Sequence, residues 1–217
     1  GATFAIFEGF ETLAEGFSFT QGRTVNSLTY GVGNAANVVS ATNPLIGAKS
    51  LQVSSATGGG IVITVDALQV DPTIRIESTS YTFAVDSGLV QVSLGGYNLV
   101  LLVNSTPAWI PWTASYGISI PPNSLVLRDG TLTILHSEPY SAGSAVTVRV
   151  EPGSTTLTIN STSLSGVAAS FSQIGGFGIS SLQGYAGGSF RLDEISITDP
   201  SRGHKEKKPK KDKKEKK

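Results

Sequence analysis

The chain has 217 residues, no cysteine and no methionine, and 39% of it is hydrophobic, enough for one sizeable core. Lack of cysteine excludes disulfides, zinc–thiolate and iron–sulfur centres and a thiol nucleophile, and no run of about 18 apolar residues is present to span a bilayer. The net charge of zero hides two unlike parts: residues 1–204 hold seven Lys and Arg against thirteen acids, or −6, and KEKKPKKDKKEKK at 205–217 holds nine lysines against three acids, or +6.

Gly1 reads as a processed or engineered N-terminus, and a removed secretory signal is the expectation. The apolar segment that follows includes Thr3, Phe4, Ala5, Ile6 and Phe7. It either pairs within its own chain or serves as a donor strand for the open sheet edge of a neighbouring copy. Beyond it, helical periodicity is hard to find and period-2 alternation dominates. Strands are expected near 37–41, 49–54 and 61–66. Gly58-Gly59-Gly60 precedes a strand rather than a helix, so it is no phosphate loop. Thr73-Ile74-Arg75-Ile76-Glu77 alternates and reads as a strand, followed by strands near 80–86 and 89–94. Tyr97–Val103 is apolar on both faces and should be a central strand, covered on both sides or buried in an interface.

Both tryptophans lie in Pro107-Ala108-Trp109-Ile110-Pro111-Trp112, with Tyr116 close behind. Three readings stand: Trp109 and Trp112 cap an open end of the core, anchor a protein interface, or stack on sugar rings. A strand near 117–120 follows. Leu125–Ile134 reads as a hairpin with Asp129-Gly130 in a tight type I′ turn. Val146–Ile159 reads as another, turning at Glu151-Pro152-Gly153-Ser154, where Pro sets φ and Gly takes the next position. Asn104-Ser105-Thr106 and Asn160-Ser161-Thr162 are N-glycosylation sequons. The last strands fall near 176–180 and 189–198. In the latter, Phe190 and Leu192 share a face with Ile195 and Ile197 only if the alternation slips at Asp193-Glu194, as a β-bulge allows.

Antiparallel strands with one face buried predict an all-β, two-sheet sandwich, a jelly roll, over residues 1–200, with a Lys-rich C-terminal tail at 201–217 that is disordered unless a partner holds it. Three stretches carry a resemblance. Phe10-Glu11-Thr12-Leu13-Ala14-Glu15-Gly16-Phe17, Gly47-Ala48-Lys49-Ser50-Leu51-Gln52-Val53 and Ser189-Phe190-Arg191-Leu192-Asp193-Glu194-Ile195-Ser196-Ile197 resemble, in that order, motifs of the concanavalin A-like and laminin-G-like jelly rolls and related carbohydrate-binding modules. The resemblance implies that the first and last strands are neighbours. It also implies a structural Ca2+ held by Glu11 and Asp193, with Glu8 and the Lys49 carbonyl as helpers; Ca2+ suits irregular oxygen ligation. Exposed acids at strand ends are the alternative.

Catalysis is not expected. The only histidines are His136 and His204, no H-E-x-x-H or G-x-S-x-G is present, and the dense acidic strand of some jelly-roll hydrolases is missing. Two functions follow. The first is a non-catalytic extracellular or cell-surface subunit that self-assembles with copies of itself into a filament, tubule or coat. The second is a lectin-like carbohydrate-binding module. The basic tail is suited to glycans or other acidic surfaces, or to the acidic body of a neighbouring copy. It holds no aromatic for base stacking, so sequence-specific nucleic-acid binding is not expected.

Overall fold

The structure, a computed structural model, describes residues 5–55, 58–103, 108–113, 116–131, 133–166, 176–181 and 187–199. In chain order the strands begin with β1 (Ala5–Glu8), β2 (Arg23–Val25), β3 (Leu28–Gly33), β4 (Ala36–Ser40), β5 (Ser50–Ser55) and β6 (Gly60–Val65). A four-residue helix, α1 (Ala67–Val70), precedes β7 (Ser78–Leu94), β8 (Tyr97–Val103), β9 (Ala108–Thr113), β10 (Tyr116–Ile120) and β11 (Ser124–Arg128). The chain continues through β12 (Ile134–Pro139), β13 (Val146–Glu151), β14 (Thr156–Ile159), β15 (Thr162–Ser165), β16 (Gly176–Ser181) and β17 (Gly188–Thr198).

Strand β7 organises the sandwich, because its 17 residues belong to both sheets. Its first half pairs with β17 and β13, and its second half with β16 and β8. Sheet 1 therefore runs β4-β5-β17-β7-β13-β14-β15, with β1 on the same edge of β17 as β5. Sheet 2 runs β2-β3-β6-β16-β7-β8-β11-β12. The crossing point is Gly88, whose φ is +81° and where a Cβ would lie 2.0 Å from the Gly187 carbonyl oxygen. The strands expected at 80–86 and 89–94 are thus one strand, bent rather than broken.

Alternation builds the core between the sheets. Val146, Val148 and Val150 are buried while Thr147 and Arg149 are exposed. Each such side chain contributes about 1.5–3 kcal/mol on burial. Tyr81 of sheet 1 stacks on Phe177 of sheet 2 with ring centroids 3.8 Å apart, so the two inner faces are in direct contact. Strand β8 is covered on both sides, as its composition requires. Leu99 and Leu101 enter the main core, and Val100 and Leu102 pack on the other face with Leu89, Val126 and Ile120. The bulge in β17 is present: Asp193 lies opposite Thr82 and Ser196 opposite Ser80, and Glu194 takes a φ of 50°. The first and last strands are neighbours, β1 on β17.

Several expectations are corrected. Ala5, Ile6 and Phe7 pair with Thr198, Ile197 and Ser196 of the same chain. Strand β5 stops opposite Leu192, and β1 takes the edge of β17 that remains, so these residues are no donor strand. Thr3 and Phe4 lie outside the described residues, as do Asn104, residues 56–57 and the tail 200–217. Residues 73–77 form no strand. Ile74 and Ile76 are buried and Arg75 and Glu77 exposed, but alternation reports which side is buried, not whether a ladder exists.

The Asp129-Gly130 turn is not type I′, since neither residue has positive φ. The Asp129 carboxylate instead accepts the N–H groups of Thr131 (2.9 Å) and Thr133 (3.0 Å), and the return strand starts only at Ile134, opposite Arg128. At the β13–β14 turn the left-handed residue is Thr155 (φ 48°), not Gly153. Among the described residues no helix is long and apolar enough to cross a membrane.

Candidate functional site: a groove on the outer face of sheet 2

Three strands share an unusual alternation. Leu28 and Tyr30 of β3, Ile61, Ile63 and Val65 of β6, and Phe177 and Ile179 of β16 point into the core. The residues between them are small: Thr29, Gly31 and Gly33; Gly60, Val62 and Thr64; Gly176, Gly178 and Ser180. Register brings them together on the outer face. Gly31 lies opposite Val62, Val62 opposite Gly178, and Gly178 opposite Ser93 of β7. Val62 stands 53% exposed in the middle of this row.

The glycines are of two kinds. A Cβ on Gly60 would lie 2.1 Å from the Ile179 carbonyl oxygen, and one on Gly176 2.2 Å from that of Ile63, so close backbone approach excludes a side chain at both. At Gly31 the nearest atom to a Cβ would be 3.6 Å away, at Gly178 3.5 Å, and at Gly33 nothing lies within 4 Å. Packing would tolerate a side chain at these three positions. Its absence leaves space on either side of Val62.

That space is a groove of two adjoining depressions, about 720 Å³ toward Gly33 and Gly60 and about 600 Å³ toward α1, sharing Val62, Thr64, Ser93 and Gly178. The hydroxyls of Thr64, Ser93 and Ser180 make no hydrogen bond among the described residues, so they are available to a ligand. Gln21 is fixed beside them. Its Oε1 accepts the Val32 N–H at 2.8 Å, which leaves its Nε2 3.8 Å from where a Gly31 Cβ would be. No charged side chain is among the described residues that line the groove. Hydrolysis of a glycosidic bond needs two flanking carboxylates, and the described residues that line the groove supply none.

The row continues from Ser93 to Asn98 of β8 and Arg128 of β11. There the outer face is no longer open: Arg128 is fully buried and Ile120 of β10 lies on Val100, Leu102 and Val126. Burial pulls the Arg128 pKa down. The β9–β10 hairpin, which ends at Ile120, pairs Trp109 with Ser119 and Tyr116 with Thr113 along its backbone. The side chains of Trp109, Trp112 and Tyr116 lie outside the described residues.

The acids expected to bind Ca2+ have other partners. Asp193 is buried, and it accepts the Ile46 N–H (3.1 Å), the Ser50 hydroxyl (2.8 Å) and the Glu194 N–H (2.9 Å). Burial pushes its pKa up to about 6 despite these bonds. Glu11 is exposed and accepts the N–H groups of Ala48 and Lys49, both at 2.9 Å, which hold its carboxyl below the usual range. Glu8 is buried, accepts the Phe10 N–H at 2.7 Å and is shifted upward by burial. Lys49 donates its ammonium to the Leu13 carbonyl. The carboxylates of Glu11 and Asp193 do converge, but on the backbone of residues 46–49. Hydrogen-bond donors face them where a cation would need further oxygens. Among the described residues no group of three or more His, Asp or Glu is arranged for a metal. The residues do not fit Ca2+.

The remaining polar candidates form a structural chain. His136 Nε2 lies 2.7 Å from Glu138, whose other oxygen accepts the Asn160 Nδ2 at 2.9 Å, and Asn160 Oδ1 accepts the Thr147 N–H. The nitrogen a glycan would need at Asn160 is therefore engaged. No serine hydroxyl among the described residues bonds His136, so no Ser-His arrangement is formed there. Sequence reasoning missed the groove. Its signal was the exchange of the outward residue for glycine in β3, β6 and β16, which are far apart in the chain.

No family model matches the chain, and no curated protein matches it in sequence. Solved structures are similar in fold. The catalytic domain of a GH131 β-glucanase from Podospora anserina superposes with a TM-score of 0.55 at 13% identity, over 91% of this chain and 96% of that one. A protein of unknown function from Shewanella oneidensis gives 0.55 at 10% identity, over 92% and 87%. Lectin II from Ulex europaeus gives 0.45 at 13%, over 86% and 99%. The fold is an all-β, two-sheet jelly-roll sandwich, and the first two of these structures share it.

Proposed function

We propose that this protein is a carbohydrate-binding jelly roll that works outside the cell and holds an uncharged stretch of glycan in the groove of sheet 2 without cleaving it. One observation carries the reading. Three glycines that packing does not require, Gly31, Gly33 and Gly178, open a surface around an exposed Val62 and the hydroxyls of Thr64, Ser93 and Ser180, which make no hydrogen bond among the described residues. A sugar ring has an apolar face and a polar rim, and this surface offers complements to both. The fold it shares with a β-glucanase supports a glycan as the ligand class, and the uncharged lining favours retention over hydrolysis. The assembly reading loses one of its supports, since Ala5–Phe7 pairs within its own chain.

The test is affinity electrophoresis through a panel of soluble polysaccharides, with wild type, Gly178→Leu and Trp112→Ala. Gly178→Leu fills the groove without a backbone clash, so it should fold normally and lose about tenfold or more in affinity. Wild-type retention that survives in Gly178→Leu would place the ligand elsewhere, and no retention by any polysaccharide would end the reading.

A further inference from the structure

The two depressions of the groove differ in chemistry. The larger one is edged by Gln21, Thr29 and Ser180. The one beside α1 presents the side chains of Val62 and Leu68, and it borders Val65 and Phe177, whose side chains are buried in the core. Helix α1 buries none of its residues, and Val70 is 85% exposed. Leu68 is only half-buried although it borders the core. The floor of this end is Gly176, where backbone approach excludes any side chain, so the recess is a fixed feature of the β6–β16 pairing.

We propose, resting on the glycan-binding reading, that this recess is a subsite for an apolar substituent carried by the glycan: an acyl, alkyl or aryl group attached to a sugar lying on Val62. Three observations favour that occupant over a protein. The recess is continuous with the polar depression through Val62, Thr64, Ser93 and Gly178, so one ligand reaches both. Its volume of about 600 Å³ suits a small group, whereas a stable protein contact needs roughly 800 Å² from each partner. No charged residue among the described ones lines it, so an anionic or cationic group would be desolvated without compensation.

Methyl and phenyl β-glycosides of glucose, xylose and galactose, titrated by calorimetry or by ligand-observed NMR, test this. For any sugar that binds, the phenyl glycoside should bind about tenfold more tightly than the methyl one, the gain expected from burying most of a ring. Leu68→Asn should reduce that preference to about twofold, the methyl glycoside losing less affinity than the phenyl one. Leu68→Trp, which fills the recess from its wall, should do the same and guards against a folding defect in the first variant. Equal affinity for methyl and phenyl glycosides, or a preference that survives both variants, overturns the subsite. Binding of phenyl glycosides with no retention by any polysaccharide upholds the recess and sinks the broader reading. Binding of neither overturns both.

Discussion

The outer faces of the two sheets are built from similar residues and do opposite things with them. On sheet 1 several polar side chains are bonded within the chain. Arg191 is almost fully buried and makes a paired contact with Asp86, Nε to Oδ2 at 2.9 Å and a terminal nitrogen to Oδ1 at 2.8 Å, while its other nitrogen donates to the Asn43 carbonyl. Gln52 donates to the Thr42 carbonyl. Asp193 and Glu11 hold the backbone of the 46–49 loop between them. On sheet 2 the hydroxyls of Thr64, Ser93 and Ser180 make no hydrogen bond among the described residues, and three glycines leave room beside them. A polar surface with satisfied groups is scaffold. One with unsatisfied groups and free space has binding energy to offer a ligand.

The largest expected effect tests the scaffold face. Asp86→Ala leaves Arg191 buried without its carboxylate and should cost about 3 kcal/mol, read as a lower urea midpoint, while glycan retention per folded molecule stays at the wild-type level. Loss of retention in protein that is still folded would mean the two faces are not separate. Next come the glycines of the groove. Gly60→Ala places a methyl group 2.1 Å from a carbonyl oxygen and should cost about 2 kcal/mol. Gly31→Ala meets only ordinary contacts and should leave stability unchanged or raise it by about 0.5 kcal/mol, yet weaken binding. Equal destabilisation by both would erase the distinction between required and unrequired glycines.

The smallest effect concerns Asp193. Its folded pKa of about 6 lies above the ordinary value of 3.8. The folded state therefore holds a proton that the unfolded state releases between those values. The stabilisation this gives is complete below about pH 4 and is lost as pH rises through 6. A carbon-detected carboxyl titration should find the midpoint near 6. Chemical denaturation from pH 4 to 7 should show wild type losing stability relative to Asp193→Asn. Glu11, Asp71 and Asp129 are shifted downward by their hydrogen bonds and act the other way, in more acid solution. EDTA should leave the melting temperature unchanged, because N–H and O–H donors occupy the carboxylates of Glu11 and Asp193; a fall on chelation would restore the metal.

Much of the fold was legible in the chain. Alternation at 146–150 and 189–198, the doubly apolar run at 97–103 and the slip at Asp193-Glu194 each correspond to a feature of the sandwich, because a strand's inward period is a local property. Turn details were less legible. At Asp129 the side chain captured two N–H groups and displaced the tight turn that Asp-Gly would otherwise make, and at 73–77 buried isoleucines alternate without any strand to pair with. The candidate site was not legible. Glu11 and Asp193, expected as Ca2+ ligands, both bond to the 46–50 segment, and the chemistry there depended on what faced them, backbone N–H groups and a hydroxyl.

By itself the sequence determined that this is an all-β chain with an acidic body, a basic tail and no cysteine, since composition and period-2 spacing are written residue by residue. Only the tertiary structure decided where a ligand would lie. Gly31, Val62, Gly178 and Ser93 are separated by up to 147 positions and become one row through strand register. Register is set by long-range pairing and by which face the core claims, and neither can be read from any single stretch of the chain.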